Sequence, residues 1–363
     1  MDGIVIKGCE VFRQGVFVSA DVEILDGVVT RVEPGIVPGE GVSVCNFDNC
    51  LVVPGLVDVH VHLREPGFSY KETIKSGTEA AARSGYAAVC AMPNLSPVPE
   101  DAATLAQELD LIARDAAIDV LPYGAITRGQ KGAKLADMAA MAPYVCGFSD
   151  DGHGVQSAEL MREAMLEAGR LGRPIAAHCE DEPTVRADME RFRTLYGESG
   201  LTVAMHPLIR SAEACLRSSE KAVSLAERYG GRLHVLHLST ARELSLFDRD
   251  KPLEQKRITC EVCVHHLWFS DADYARKGNL IKWNPAVKTA ADRDALRAGL
   301  LDGAVDVVAT DHAPHTLEEK ERPYASAPSG GPLVQHSLPM MLELSAQGVL
   351  PVETVVEKMC HAP

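Results

Sequence analysis

The sequence predicts an α/β protein: a (β/α)8 barrel of the TIM type, preceded by a small β-sandwich-type unit. Three observations carry this expectation. Apolar strand-like runs recur eight times after about residue 54, helical patterns separate them, and residues 1–53 contain only short alternating strands broken by turns. The expected division is therefore 1–53 for the β unit and 54–363 for the barrel.

In the β unit the runs are IVIKGCEVF, GVFVSADVEIL, GVVTRVE and CLVVP, with DG and PG as turn punctuation. The barrel strands are expected in 52-VVPGLVDVH-60, 86-YAAVCAM-92, 118-IDVLPYGAI-126, 144-YVCGFS-149, 174-PIAAHC-179, 232-RLHVLHL-238, 256-KRITCEV-262 and 305-VDVVAT-310. Helices are expected over 71–84, stopped by Gly85, over 155–171, and over 211–229 with Ser211 as N-cap and Gly230 as stop. A doubly wound open sheet is the competing arrangement, but no GxGxxG follows the first strand.

Composition narrows the function. The chain has 363 residues, a formal charge of -15, and 51 acidic against 36 basic side chains, with no Lys/Arg cluster to track a phosphate backbone. Nucleic acid is therefore not an expected partner. The start, MDGIVIKGCE, lacks a basic region and an apolar run, and no segment approaches the roughly 18 to 20 apolar residues that span a bilayer. A soluble, cytoplasmic protein is expected, without membrane contact. The ten cysteines show no disulfide-framework spacing, which suits reduced thiols. In 260-CEVCVHH-266 a CxxC precedes paired histidines, but strand alternation sends Cys260 and Cys263 to opposite faces, so a structural role is expected.

In a barrel of this kind the chemistry sits at the C-terminal ends of the strands. Ligand-type residues occur there selectively: His60 and His62 after the first strand, Asp150 and Asp151 after the fourth, His178 after the fifth, His237 after the sixth, and Asp311 and His312 after the eighth. Residues i and i+2 share a strand face, so His60 and His62 can both enter the mouth. Alone, the pair fits hydrogen-bonded histidines as well as metal ligands. With four other strand ends supplying His or Asp, a site for zinc or a similar divalent ion is expected. Four histidines and two aspartates exceed what one tetrahedral catalytic ion uses, so two ions bridged by a carboxylate and a hydroxide fit better. Such a hydroxide is a nucleophile for amide hydrolysis, with Asp311 placed to carry the proton to the leaving nitrogen. Of the other histidines, His234 is expected to face away from the mouth, and His265 and His266 to support the site rather than ligate. His153, His206, His336 and His361 receive no role.

Seven ordered blocks, HVHLREPG, AMPN (91–94), SDDGHGVQ (149–156), AHCED (177–181), HLST (237–240), NPAVKT (284–289) and ATDHAPH (309–315), together resemble dihydroorotase of the class I bacterial type, in the amidohydrolase superfamily. The resemblance runs from about residue 50 to the end. It implies a metal-dependent hydrolase barrel that interconverts L-dihydroorotate and N-carbamoyl-L-aspartate, the third step of pyrimidine synthesis. It implies His60, His62, Asp151, His178, His237 and Asp311 as ligands, with Asp311 also the acid/base. It implies Arg64, Asn94, Asn284 and His315 as partners of the substrate. The residue chemistry agrees for Arg64, whose planar fork matches the ring carboxylate; the plainer reading is a solvated surface pair. Asn94 and Asn284 each adjoin a proline and also suit turns. Some superfamily members bridge their ions with a carboxylated lysine, but 144-YVCGFSDDG-152 contains no lysine, and Asp151 rather than Asp150 is expected to bridge.

The polar segment 313–336 follows the eighth strand and is expected to close over the substrate, presenting backbone near Pro328 to Gly331; a mobile surface loop is the alternative. The chain stops at 358-KMCHAP-363, where members of the resembled family continue with strands beside the N-terminal ones, so the β unit is expected to be incomplete. Rival activities are those of a dihydropyrimidinase or allantoinase, which open rings without this carboxylate, and that of a non-catalytic subunit scaffolding aspartate carbamoyltransferase. Beyond the small-molecule substrate, a homodimer and aspartate carbamoyltransferase stand as candidate partners.

Overall fold

The computed structural model describes residues 3–363. Five strands form the N-terminal sheet: β1 (Gly3–Arg13), β2 (Val16–Leu25), β3 (Val28–Glu33), β4 (Ser43–Asn46) and β5 (Leu51–Val52). Its order is β3-β2-β1-β4, with β5 also on β1; β2 runs antiparallel to β1, while β4 and β5 run parallel to it. Alternation buries Cys9, Val11, Ala20 and Val22 together on one face. β4 escapes sequence reading because SVCN is short and carries no alternating apolar signal.

The second sheet contains eight strands: β6 (Leu56–Val61), β7 (Tyr86–Ala91), β8 (Asp119–Ala125), β9 (Gly147–Ser149), β10 (Ile175–Ala177), β11 (Leu233–Val235), β12 (Ile258–Cys263) and β13 (Val307–Ala309). Each lies within a predicted run or overlaps it. They follow one another in sequence order, all parallel. A parallel bridge from Val61 to His312, with the His62 N–H donating to the His312 carbonyl at 2.8 Å, brings the last strand back to the first. The result is a (β/α)8 barrel. Cys90, Met92, Tyr123, Ala176 and Leu236, from four strands or their ends, meet in one apolar cluster inside it. A larger core lies between strands and helices, joining Val89, Phe148, Val235 and Val308 to Ile74, Leu105, Met165 and Leu296.

Helix Ala212–Tyr229 illustrates how the outer ring is specified. Ser211 caps it by accepting from the Ala214 N–H, and Gly230 ends it at φ +76°, a left-handed conformation that costs glycine little. Its buried stripe of Ala214, Cys215, Ser219, Ala222, Val223 and Ala226 follows the 3.6-residue period with small side chains. Removing the Ser211 cap should cost about 1 kcal/mol. Among the described residues no helix is long and apolar enough to cross a membrane.

Candidate metal centre and active site

The barrel delivers the predicted residues to one mouth. His60 lies in β6 and His62 just beyond it; Asp151, His178, His237 and Asp311 each lie one or two residues past β9, β10, β11 and β13. Alternation alone does not place them all. His237 has φ +38° and Asp311 φ +48°, conformations sparsely populated outside glycine, and these turn both side chains inward. That departure separates His237 from His234, which sits deeper in the barrel against Thr259 and Glu261.

Two groups of three ligand-type residues share Asp151. His60, His62 and Asp151 form one, Asp151, His178 and His237 the other, and within each group the ligand atoms lie within 4.8 Å of one another. Asp151 Oδ2 is 3.3 Å from His62 Nε2 and 3.7 Å from His60 Nε2, while Oδ1 is 3.4 Å from both His178 Nδ1 and His237 Nε2. Each carboxylate oxygen thus faces a different pair of imidazoles. Asp311 Oδ1 stands 3.1 Å from His62 Nε2 and 3.4 Å from His60 Nε2.

Asp150, one residue away, is used otherwise. Its Oδ1 accepts from the Ile126 and Thr127 N–H groups at 2.8 and 3.1 Å, and its Oδ2 from the Thr127 hydroxyl. Burial raises its pKa to about 6 against those hydrogen bonds. It ties β9 to the end of β8, leaving the inward position to Asp151.

The donor set fits divalent cations. His60 Nε2 and Asp151 Oδ1 are buried without hydrogen-bond partners, and imidazole with carboxylate is a ligand chemistry that zinc accepts. Burial alone would lower the pKa of His178, yet the neighbouring carboxylates of Asp151 and Glu180 raise it to about 9, so the cluster favours positive charge at its centre. Glu180, which sequence reasoning gave no role, is fully buried and paired with Arg210; it accepts from His178 Nε2 at 3.0 Å, so that Nδ1 faces Asp151. Asp58 was also missed. It accepts from Thr310 (Oγ1 at 2.5 Å, N at 3.2 Å) and from the His60 N–H, joining the strands that carry His60 and Asp311. An aspartate inside an apolar strand was its sequence signal.

Beside this cluster lies a cationic corner. Arg64, at φ +58°, donates through Nε to the Pro314 carbonyl at 3.2 Å, and its Nη2 stands 3.3 Å from His315 Nε2. Lys71 Nζ is 3.0 Å from His315 Nδ1. Burial, followed by the charges of Arg64, Lys71 and Lys320, pushes the His315 pKa down to about 3, so the ring is neutral with one acceptor nitrogen. Both neighbours of the ring are donor-only cations and a neutral imidazole accepts from only one of them, so donors are in surplus at this corner, an arrangement that a carboxylate satisfies. Asn94 donates to the Asp151 carbonyl at 2.6 Å and lines, with Arg64, Lys71, Gln130 and His153, a cavity of ≈ 300 Å³. Asn284 accepts from Ser329 Oγ at 2.9 Å.

The segment 313–336 is strapped down. Lys320 Nζ donates to the carbonyls of Pro328 (3.0 Å) and Gly330 (2.6 Å), Lys282 Nζ to those of Tyr324 (2.8 Å) and Ala327 (2.5 Å), and His312 Nδ1 accepts from Leu333 N. Burial lowers the lysine pKa values to about 7 for Lys320 and about 8 for Lys282. Other residues have structural partners: His266 meets the Pro285 carbonyl, His265 stacks on Trp283, and Cys260 donates to the Ala304 carbonyl while Cys263 turns toward Glu261.

Solved structures of cyclic amidohydrolases share this fold. L-hydantoinase (dihydropyrimidinase) from Arthrobacter aurescens superposes with TM-score 0.91 at 23% identity, covering 100% of this chain and 82% of the other. Dihydropyrimidinase from Brevibacillus agri gives 0.84 at 18% identity, over 98% and 79%. A family model described as dihydro-orotase-like matches residues 49–242. Curated dihydroorotases from Fusobacterium nucleatum (40% identity, 88% of this chain, 73% of that protein), Staphylococcus aureus (40%, 90% and 75%) and Pelotomaculum thermopropionicum (40%, 98% and 82%) are similar over most of their length. The chain belongs to the dihydroorotase family, whose members are hydrolases of cyclic amides.

Proposed function

We propose that this chain catalyses the reversible hydrolysis of L-dihydroorotate to N-carbamoyl-L-aspartate, the third step of pyrimidine synthesis, as a soluble enzyme holding two divalent ions. The observation that carries the reading is the cationic corner of Arg64 and His315 beside the histidine–aspartate cluster, joined to it through Asn94 and its bond to the Asp151 carbonyl. His60, His62 and Asp151 would hold one ion and Asp151, His178 and His237 the other, with Asp311 beside the first. Zinc suits this set and would supply Lewis acidity toward the ring carbonyl and a lowered pKa for water.

The chain's own groups do the rest. Arg64 and His315 grip the ring carboxylate, which orients the cyclic amide over the cluster. Asn94 and Asn284 offer amide groups to the ring's remaining polar atoms. Asp311 accepts the proton of the attacking water and returns it to the ring nitrogen as the amide bond breaks. The strapped 313–336 segment, fixed by Lys282 and Lys320, keeps backbone near Pro328 to Gly331 at the rim and limits water at the site.

Zinc-loaded protein should interconvert dihydroorotate and carbamoyl aspartate, and chelated protein should not. Ring opening of hydantoin or allantoin without turnover of dihydroorotate would sink the assignment. Fewer than about one bound ion per chain would favour a non-catalytic scaffold instead.

A further inference from the structure

Glu261, met above only as a neighbour of His234 and Cys263, is 0% exposed at the centre of the barrel. It lies on β12, on the same strand face as Cys263 and therefore pointing inward. Its Oε1 is 2.6 Å from His60 Nδ1 and accepts from the His237 backbone N–H at 3.1 Å. Its Oε2 is 3.1 Å from His234 Nε2, and His234 Nδ1 is in turn 2.8 Å from Thr259 Oγ1.

We propose that Glu261 is a positioning residue that sets the His60 tautomer and the His237 backbone together, holding one ligand of each ion-binding group in register. A carboxylate accepts, so His60 Nδ1 must carry the proton, and the lone pair is left on Nε2. That nitrogen faces Asp311 at 3.4 Å and Asp151 at 3.7 Å and is otherwise unpartnered. The bond to the His237 N–H holds a residue whose φ of +38° is intrinsically unfavourable, so the inward turn of that ligand depends on Glu261 as well. His234, bonded to Thr259, fixes the second carboxylate oxygen, so Glu261 cannot rotate away. His60 and Glu261 are 201 residues apart in sequence, and only the closed barrel joins them.

His60, Glu261 and Cys263 also come within 4.8 Å of one another and could be read as a further ion site. The partners of Glu261 decide against it, because its Oε1 is already engaged by His60 Nδ1 at 2.6 Å and the His237 N–H at 3.1 Å, and its Oε2 by His234 Nε2 at 3.1 Å.

The proposal rests on the metal-centre reading, and the test separates the two. Wild-type and Glu261→Gln chains are stripped, reloaded with Zn²⁺ or Co²⁺, and compared by chelator competition, ion stoichiometry and the visible Co²⁺ spectrum. The variant should bind about 10- to 100-fold more weakly, with an altered Co²⁺ band, while the melting temperature of the metal-free protein changes little. Equal affinity and an unchanged band in both chains, or a lowered metal-free melting temperature with unchanged affinity, overturns the proposal alone. A wild-type chain that binds no ion overturns the metal-centre reading and the proposal with it. Should the variant not fold, ¹⁵N spectra of the zinc-loaded wild-type chain decide: a proton on His60 Nδ1 supports the assignment, and one on Nε2 overturns it. A third zinc per chain that disappears in Cys263→Ser would make Glu261 a ligand and also overturn it.

Discussion

The mouth of the barrel contains two regions built on different principles. The histidine–aspartate cluster stands on strand ends, its members buried and two of them braced by further carboxylates: Asp58 holds the His60 backbone to Thr310, and Glu180 holds His178. The cationic corner stands on loops. Arg64 and His315 are placed by a positive φ, a carbonyl and a lysine ammonium rather than by a sheet. The first region has little freedom and suits ions that demand fixed geometry. The second is held by fewer contacts and suits recognition of one substrate group, as loops on a rigid scaffold commonly do.

Substitutions can set the two regions apart. The largest effect is expected for Asp151→Asn, which removes the carboxylate common to both ligand groups: ion stoichiometry should fall and turnover drop on the order of 10³-fold. Asp150→Ala, one residue away, should instead lower stability by about 1 to 3 kcal/mol with ion content retained, because it loses the acceptors of the Ile126 and Thr127 N–H groups. If the two variants lost ions equally, the distinction between these neighbours would collapse.

Arg64→Ala tests the other region. It should raise KM for dihydroorotate about 100-fold with zinc content intact, since a charge-assisted pair to the ring carboxylate is lost. Loss of zinc in this variant would show that the corner and the cluster are not separable. Lys71→Met acts one step further out, by removing the ammonium that stands 3.0 Å from His315 Nδ1. About a tenfold rise in KM is expected, with restoration by Lys71→Arg.

The smallest effect concerns His206, which supports the strapped segment through Tyr324 Oη (3.0 Å) and the Trp283 carbonyl (2.7 Å). Burial, then the charge of Arg210, pushes its pKa down to about 3. An unfolded histidine titrates near 6.5, so the unfolded chain binds the extra proton between those values. Stability from this group is present above about pH 6.5 and is lost as pH falls toward 3. Unfolding free energies of the wild type should therefore decline across that window more steeply than those of His206→Gln; parallel profiles would refute the assignment.

Much of the architecture was legible before any coordinate. Eight apolar runs, the caps at Ser211 and Gly230, and the placing of His60, His62, Asp151, His178, His237 and Asp311 after strands follow from period and turn chemistry, which are local properties. Asp151 faces the histidines while Asp150 does not, and the reason, Asp150's grip on the end of β8, could not be read from residues adjacent in sequence. Strand β4 and the strapping of the 313–336 segment by Lys282 and Lys320 were not foreseen.

By itself the sequence determined which residue types stand at the strand ends and which family the chain resembles, because strand alternation and motif order are written along the chain. Only the tertiary structure decided which nitrogen of each imidazole faces inward, which aspartate lies between the histidines, and which buried carboxylates brace them. Those outcomes depend on contacts such as Glu261 to His60 and Asp58 to Thr310, across about 200 residues or more, and on backbone turns at His237 and Asp311 that local preference disfavours. Closure of the barrel supplies the surrounding contacts that hold both.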